Sequence, residues 1–393
     1  MKGIFHRILK VIGYTVVIGL VAVAVFWFVL KRQHWPWWAG VAILAGIFGV
    51  WMGILFLKSY LFRRREKRFV RQIIEQDDST IDGAPVHERQ HLRDLQTRWQ
   101  ESIELLRGSY LKKKGNPLYV LPWYLVIGES GAGKTTAIKS SRLTSPLTEV
   151  TSTPGISSTR NCDWWFFEEA IMLDTAGRYT IPVDEGPDRA EWEKFLTLLA
   201  KYRKKEPLNG LIVVISADKV IRADDASLVE EGQGIRKRID ALMRILGARF
   251  PVYLMVTKLD LIYGMVEFSS LLPDGAINQA MGHLNEKLTD DCEEFLDEAV
   301  DVVSERLKDV RFELITMERP INPGMLVFPD EFARLKPGLS AFVTGAFKES
   351  TYQETPLLRG VFFSSGYQDG TPHPAFYQDL LQTQQKDVLH GSA

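Results

Sequence analysis

Cysteine is nearly missing from this chain: Cys162 and Cys292 are the only two in 393 residues, far apart and without metal-ligand spacing. That excludes a disulfide framework and a structural zinc site, and it fits thiols kept reduced in a cytoplasm. An excess of either charge is missing too. The formal net charge is -1, which argues against a general nucleic-acid binder. No internal repeat and no low-complexity tract interrupts the chain, and no apolar run after residue 57 reaches membrane-spanning length. A length of 393 residues leaves room for about two or three domains.

What is present begins with two uncharged stretches, Val11 to Leu30 and Trp35 to Leu57, separated by the short KRQH segment. Each matches the roughly 20 residues a helix needs to cross about 30 Å of hydrocarbon. Together they predict a helical hairpin. Trp27, Trp35, Trp37 and Trp38 gather toward one end of it, as an interfacial aromatic belt does. Lys2, Arg7 and Lys10 precede the hairpin; Lys58, Arg63, Arg64, Arg65, Lys67 and Arg68 follow it; only Lys31 and Arg32 lie in its turn. The positive-inside bias then places both termini in the cytoplasm. The first run is too long for a signal peptide, and no small-x-small cleavage site follows it.

Beyond the hairpin, Leu92, Leu95, Trp99, Ile103 and Leu106 recur at spacings of three and four, one apolar stripe on an amphipathic helix. This segment either links the membrane to a globular domain or packs on that domain's flank. From Trp123 the pattern changes. WYLVIG, CDWWFF, AIMLD, LIVVIS, PVYLMVT and GVFFSS read as strands, with helical stretches between most of them. Such alternation predicts an α/β fold with a mostly parallel sheet covered on both faces. The short WWFFEEAIMLD hairpin predicts one antiparallel edge strand.

The expected organisation is a membrane hairpin over residues 1–58, a cytoplasmic helical linker over 59–118 and a P-loop domain over 119–260. A helical insert follows over 261–358, then the last strand and its loop over 359–370, then a tail over 371–393.

GESGAGKT, residues 128–135, matches Gly-x-x-x-x-Gly-Lys-Thr without a mismatch, between an apolar strand and a helix. Gly128, Gly131 and Gly133 let the backbone curl so that N–H groups face phosphate, and the following helix adds its positive end. Glu129, Ser130 and Ala132 complete the loop, and Thr136 opens the helix behind it. Lys134 is placed to reach the β- and γ-phosphates, and the Thr135 hydroxyl to bind Mg²⁺.

AIMLDTAG supplies Asp174 at a strand end as a second Mg²⁺ partner, with Gly177 three residues on to meet a γ-phosphate. Thr159, just before CDWWFF, is the expected further Mg²⁺ ligand, with Thr153 in reserve. VTKLD places Thr257, Lys258 and Asp260 as an Asn/Thr-Lys-x-Asp base-reading motif. An aspartate there accepts from guanine N1–H and N2–H₂, favouring GTP, while ATP stays open because threonine stands for the commoner asparagine. Ser364 and Ser365 follow the last strand, where a loop touches the base from its other side. Many GTPases hold a water-orienting glutamine directly after the Asp-x-x-Gly glycine; here it is Arg178. Arg178 is either an arginine finger in cis, neutralising γ-phosphate charge, or a surface partner of Asp184 or Glu185. Slow hydrolysis is the expectation in either case.

GESGAGKTT, STRNCDWWF, LDTAGRY, KYRKKEPLNGLIVVIS, TKLDLI and RGVFFSSG together resemble the IcmF/TssM inner-membrane proteins of type VI secretion systems, over roughly residues 10–366. The resemblance implies a membrane-anchored structural component of the secretion membrane complex, with a cytoplasmic P-loop domain between the hairpin and a third membrane helix. It also implies a DotU/TssL-type inner-membrane partner, the baseplate and other copies of the chain as contacts, and a periplasmic region reaching an outer-membrane lipoprotein. After GYQDG the residues here read FYQDLLQTQQKDVLHGSA, which leaves open a truncated chain, a gene fragment or a short paralogue. The expected role is a GTP- or ATP-dependent, Mg²⁺-assisted conformational switch in that complex. The alternatives are a free-standing regulatory GTPase and an NTPase that energises secretion.

Overall fold

The structure is a computed structural model of the whole chain. It describes residues 86–141, 143–144, 162–175, 177, 187–273, 275–276, 279–316, 322–347 and 355–366, with Gly46, Gly49 and Gly53. The chain divides into two units, Met1–Thr80 and Ile81–Ala393. Apart from Gly46, Gly49 and Gly53, the expected membrane hairpin lies outside the described residues, and so do Thr153, Thr159 and Arg178. Among the described residues no helix is long and apolar enough to cross a membrane. The account below concerns the second unit.

Its described elements run, in chain order, α1 (Val86–Gly108), α2 (Pro117–Val120), β1 (Trp123–Ile127), α3 (Lys134–Ser140), β2 (Cys162–Phe166) and β3 (Ile171–Thr175). Next come α4 (Pro187–Tyr202), β4 (Gly210–Ser216), α5 (Ala217–Arg222), α6 (Asp225–Leu246), β5 (Pro251–Thr257) and α7 (Met265–Ser270). The last are β6 (Met281–Leu284), α8 (Cys292–Ile315), α9 (Pro323–Ala333), α10 (Leu335–Phe347) and β7 (Leu357–Phe363).

The strands form one seven-stranded sheet in the order β2-β3-β1-β4-β5-β7-β6. The five inner strands are parallel, and β2 and β6 run antiparallel at the two edges. β4 is buried almost throughout, which is why LIVVIS is apolar instead of alternating, whereas in β5 buried residues alternate with half-buried ones. β1 has β3 on one side and β4 on the other, so the strand order reverses there. The carboxyl end of such a strand is where open α/β sheets hold ligands.

The amphipathic α1 packs on the domain. Leu95, Trp99, Ile103 and Leu106 are almost wholly buried. Trp99 lies edge-on to Trp164 at 4.8 Å between ring centres and stacks on Tyr202 at 5.7 Å. Trp123 of β1 completes this aromatic cluster. Arg203 is buried beside it, over the Trp123 ring at 4.7 Å and bonded to Asn209 Oδ1 at 3.2 Å. Burial, partly offset by Tyr119 and Glu206, pulls the Arg203 guanidinium down to about 10.

The segment expected as a purely helical insert also contributes to the sheet. Within it, β6 pairs with β7 from Met281↔Phe363 to Leu284↔Gly360. Two of its helices, α8 and α9, start on side-chain caps: Asp291 Oδ1 accepts from Glu293 N at 3.1 Å and Glu294 N at 3.0 Å, and Asn322 Oδ1 accepts from Gly324 N at 2.8 Å ahead of Pro323. α10 crosses α6 at glycine positions. Gly232 and Gly345 have no side chain because each faces the other helix's backbone.

Candidate functional site

The site is built at the carboxyl ends of β1, β3, β4 and β5. Gly131 and Gly133 have φ of +79° and +83°, the left-handed region that costs a side-chain-bearing residue about 1–2 kcal/mol. Gly128 is confined for a second reason: a Cβ there would collide with Val214 O of β4. The loop therefore takes its curled form from its own glycines and from the close approach of β4. Lys134 folds back across it, donating to Gly128 O at 2.6 Å and Glu129 O at 2.8 Å. It is 7% exposed. Burial lowers its pKa, and the charges of Asp174 and Glu129 work against that.

Parallel pairing sets Val126 beside Asp174, which brings β3's carboxylate to the mouth of the loop. Thr135 Oγ1 donates to Asp174 Oδ2 at 2.5 Å. The other oxygen, Oδ1, is buried and has no hydrogen-bond partner among the described residues. A wholly buried carboxylate with one bare oxygen is costly without a cation. Burial accordingly pushes Asp174 up to about 6, against the pull of the Thr135 hydrogen bond and of Lys134. One hydroxyl and one carboxylate are hard oxygen donors, so these residues fit Mg²⁺, a metal bound by few protein ligands. Gly177 lies against the backbone of Glu129 and Ser130, where a Cβ would clash, so the DTAG segment touches the phosphate loop directly.

Thr257 braces the phosphate loop from the end of β5. It is 2% exposed, and its hydroxyl donates to Ala132 O of the phosphate loop at 2.5 Å. Lys258 and Asp260 follow it in the expected base-reading motif. Lys258 has φ +57°, which turns the chain so that its stem passes Gly133. Asp260 N–H donates to Ser365 Oγ at 3.2 Å, and the Ser365 hydroxyl donates in turn to Asp260 Oδ1. Asp260 Oδ2 has no hydrogen-bond partner among the described residues. Ser364 acts through its backbone: its N–H donates to Val256 O at 2.7 Å and its carbonyl accepts from Leu259 N at 3.4 Å. Gly366 packs on Thr136, so this loop also rests against α3.

Lys219, on α5, was not singled out by sequence reasoning. It bridges Glu129 Oε2 at 2.5 Å and Glu231 Oε2 at 2.8 Å. Burial disfavours its charge, but the two carboxylates outweigh that and hold the ammonium above its ordinary value. The usable signal was positional: SADK follows β4, the neighbour of β1, at the same end of the sheet. A cavity of about 500 Å³ opens there between Ser130, Gly131, Asp218, Lys219 and Lys258. A larger cavity of about 600 Å³ lies along the C-terminal half of α6, lined by Lys237, Asp240, Arg244 and Arg249, and includes none of the phosphate-loop residues.

These features define an α/β protein with a glycine-curled loop and a Thr135–Asp174 pair at the reversal point of a mostly parallel sheet. Residues 185–391 match the IcmF-related N-terminal domain. The chain is 38% identical over 323 residues to the type VI secretion system component TssM1 of Pseudomonas aeruginosa, covering 79% of this chain and 29% of that protein. The chain belongs to the IcmF-related family, and it spans less than a third of the length of that relative. Among solved structures, a signal recognition particle receptor complex from Chaetomium thermophilum matches at 18% identity and TM-score 0.25, over 37% of this chain and 75% of that one. A GDP complex of a GTP-binding protein from the archaeon Sulfolobus solfataricus matches at 17% and 0.21, over 43% and 49%. At those scores neither likeness carries the functional reading, which rests on the site's own geometry.

Proposed function

We propose that this chain is an inner-membrane component of a type VI secretion membrane complex whose α/β domain is a GTP-responsive switch. On this reading the hairpin at 1–58 anchors the chain, both termini lie in the cytoplasm, and the lipid bilayer, other copies of the chain, a DotU/TssL-type subunit and the baseplate are its contacts. The single observation that carries the nucleotide part is the Thr135–Asp174 pair with its bare buried oxygen beside Lys134.

Lys134 holds the phosphates, and Thr135 and Asp174 hold Mg²⁺, which when bound neutralises phosphate charge. Asp260, oriented by Ser365, accepts the guanine donor pair that adenine lacks. A switch is favoured over an engine because arginine, not glutamine, follows Gly177. The test is calorimetric titration of the purified chain with GTP, GDP and ATP, with Mg²⁺ and with EDTA. Mg²⁺-dependent binding that favours guanine supports the reading. A folded chain that binds none of them reduces the loop to an inherited shape and leaves only scaffolding.

A further inference from the structure

We infer that Lys219 couples the phosphate loop to α10, making this helix the element through which nucleotide occupancy reaches the rest of the protein. The inference rests on the nucleotide reading above and adds the route.

Four contacts in series carry it. Glu129 is held at two points: its carbonyl oxygen by Lys134 Nζ at 2.8 Å, and its carboxylate by Lys219 Nζ at 2.5 Å. Phosphate competes for the Lys134 ammonium, so the bond to the Glu129 carbonyl is one that ligand binding weakens. Lys219 then ties Glu129 to Glu231 at 2.8 Å, with the Glu231 side chain only 12% exposed.

The next residue on α6 is Gly232, and it meets α10 backbone to backbone. A Cβ there would strike Phe342 O, and Ala346 N at 2.8 Å. Gly345 of α10 lies in the same way on Val229 O. The other end of α10 repeats the arrangement: Gly338 lies on Val220 O, one residue after Lys219 on α5. The two helices that anchor the Lys219–Glu231 pair are thus both in backbone contact with α10, at residues adjoining the pair. Backbone contacts have no rotamer to absorb a displacement, and close-packed interiors pass strain on. A shift of Glu129 is therefore shared by α5, α6 and α10 together. Lys219 is a positioning residue here, acting through Glu129.

The experiment is hydrogen exchange on the full chain in detergent, read on peptides covering Leu335–Phe347. It compares no nucleotide with Mg²⁺ and a non-hydrolysable GTP analogue, at concentrations that saturate each variant. Wild type is expected to change its exchange in α10 on binding. Lys219→Met is expected to bind and show no such change, and Lys219→Arg to restore it. Glu231→Gln is the second variant should Lys219→Met fail to fold, and it is expected to behave as Lys219→Met does.

Without nucleotide, Lys219→Met should exchange about threefold faster in α10, on the order of one partly exposed ion pair. Wild-type binding with no α10 response, or an α10 response kept in Lys219→Met, overturns the coupling and leaves the nucleotide reading intact. Failure of wild type to bind any nucleotide overturns that reading instead. The ligand-free comparison then decides the link by itself: unchanged α10 exchange in Lys219→Met overturns it.

Discussion

Thr135 donates its hydroxyl hydrogen to Asp174 at 2.5 Å, so the second residue of α3 and the carboxylate near the end of β3 are joined directly. The pair pre-orients two hard oxygens while leaving Asp174 Oδ1 bare. Its consequence is a dependence of stability on pH whose sign is set by burial. Asp174 has a folded pKa of about 6, raised from 3.8. The native state therefore holds a proton that the unfolded chain has released between those values. The contribution of Asp174 to stability is greatest below about 4, falls as pH rises through about 6, and is level above.

At neutral pH the charged carboxylate costs roughly 3 kcal/mol, from about two pKa units at 1.36 kcal/mol each. Asp174→Asn should thus melt higher than wild type at pH 8 in EDTA, by up to roughly 5–10 °C for a domain of this size. The gap should close as pH falls toward 4. A gap independent of pH would mean that Asp174 is not ionising in a buried site. With Mg²⁺ and nucleotide the order should invert, because the variant lacks the carboxylate ligand.

Lys134 makes the second case. Its ammonium is buried and held by two loop carbonyls, so removing it takes away both a loop brace and the cation that phosphate would meet. Lys134→Ala should weaken nucleotide binding about 10–100-fold, the range of one or two charge-assisted hydrogen bonds. The ligand-free melting temperature should move far less, since water can replace the ammonium at an open loop. Equal affinity in wild type and variant, measured by fluorescent-nucleotide displacement, would remove the phosphate role of Lys134.

How much of this was readable follows from how local each signal is. The curl of GESGAGKT is set by glycines within the loop, and Asp174 by its place at a strand end, so both were readable from neighbours in sequence. β6 was not, because MGHL is four residues long, half-exposed and without alternation. The side of α1 that Trp99 faces was visible from spacing, but its partners Trp123, Trp164 and Tyr202 come from three other elements. Lys219 and Glu231 escaped for the same reason: a charged residue on a helix says nothing of the carboxylate a different helix brings to it. Thr257 was placed at the right strand end, but its contact with the phosphate loop joins residues 125 apart in sequence and was not readable from its neighbours. Its hydroxyl meets Ala132 O, a partner that only the folded sheet brings to it.

Base selection gives a prediction with two arms. Asp260 uses Oδ1 on the Ser365 hydroxyl and keeps Oδ2 without a hydrogen-bond partner among the described residues. Ser365→Ala frees the carboxylate to rotate and should lower guanine-nucleotide affinity about 3–10-fold, the net worth of one hydrogen bond to a charged group. Asp260→Asn should move preference from GTP toward xanthosine triphosphate, whose C2 carbonyl oxygen accepts where guanine's amino group donates. Competition binding with the two nucleotides reads the ratio. An unchanged ratio in Asp260→Asn would show that the carboxylate does not touch the base, whatever the absolute affinities.

The packing of α1 supplies the last test, which separates a mere linker from part of the domain. Trp99 is fully buried, and its Nε1 has no hydrogen-bond partner among the described residues, so its contribution is shape and apolar area. Trp99→Ala should cost about 3–5 kcal/mol by opening a cavity between Trp123, Trp164 and Tyr202. Trp99→Phe keeps a ring and loses no hydrogen bond, so it should cost far less, about 1–2 kcal/mol. Chemical denaturation of both variants reads the difference. If α1 were only a tether, neither substitution would shift the unfolding midpoint of the sheet. A large loss in the alanine variant alone would mean that residues 86–108 are one side of the same core that holds β1, and through β1 the phosphate loop.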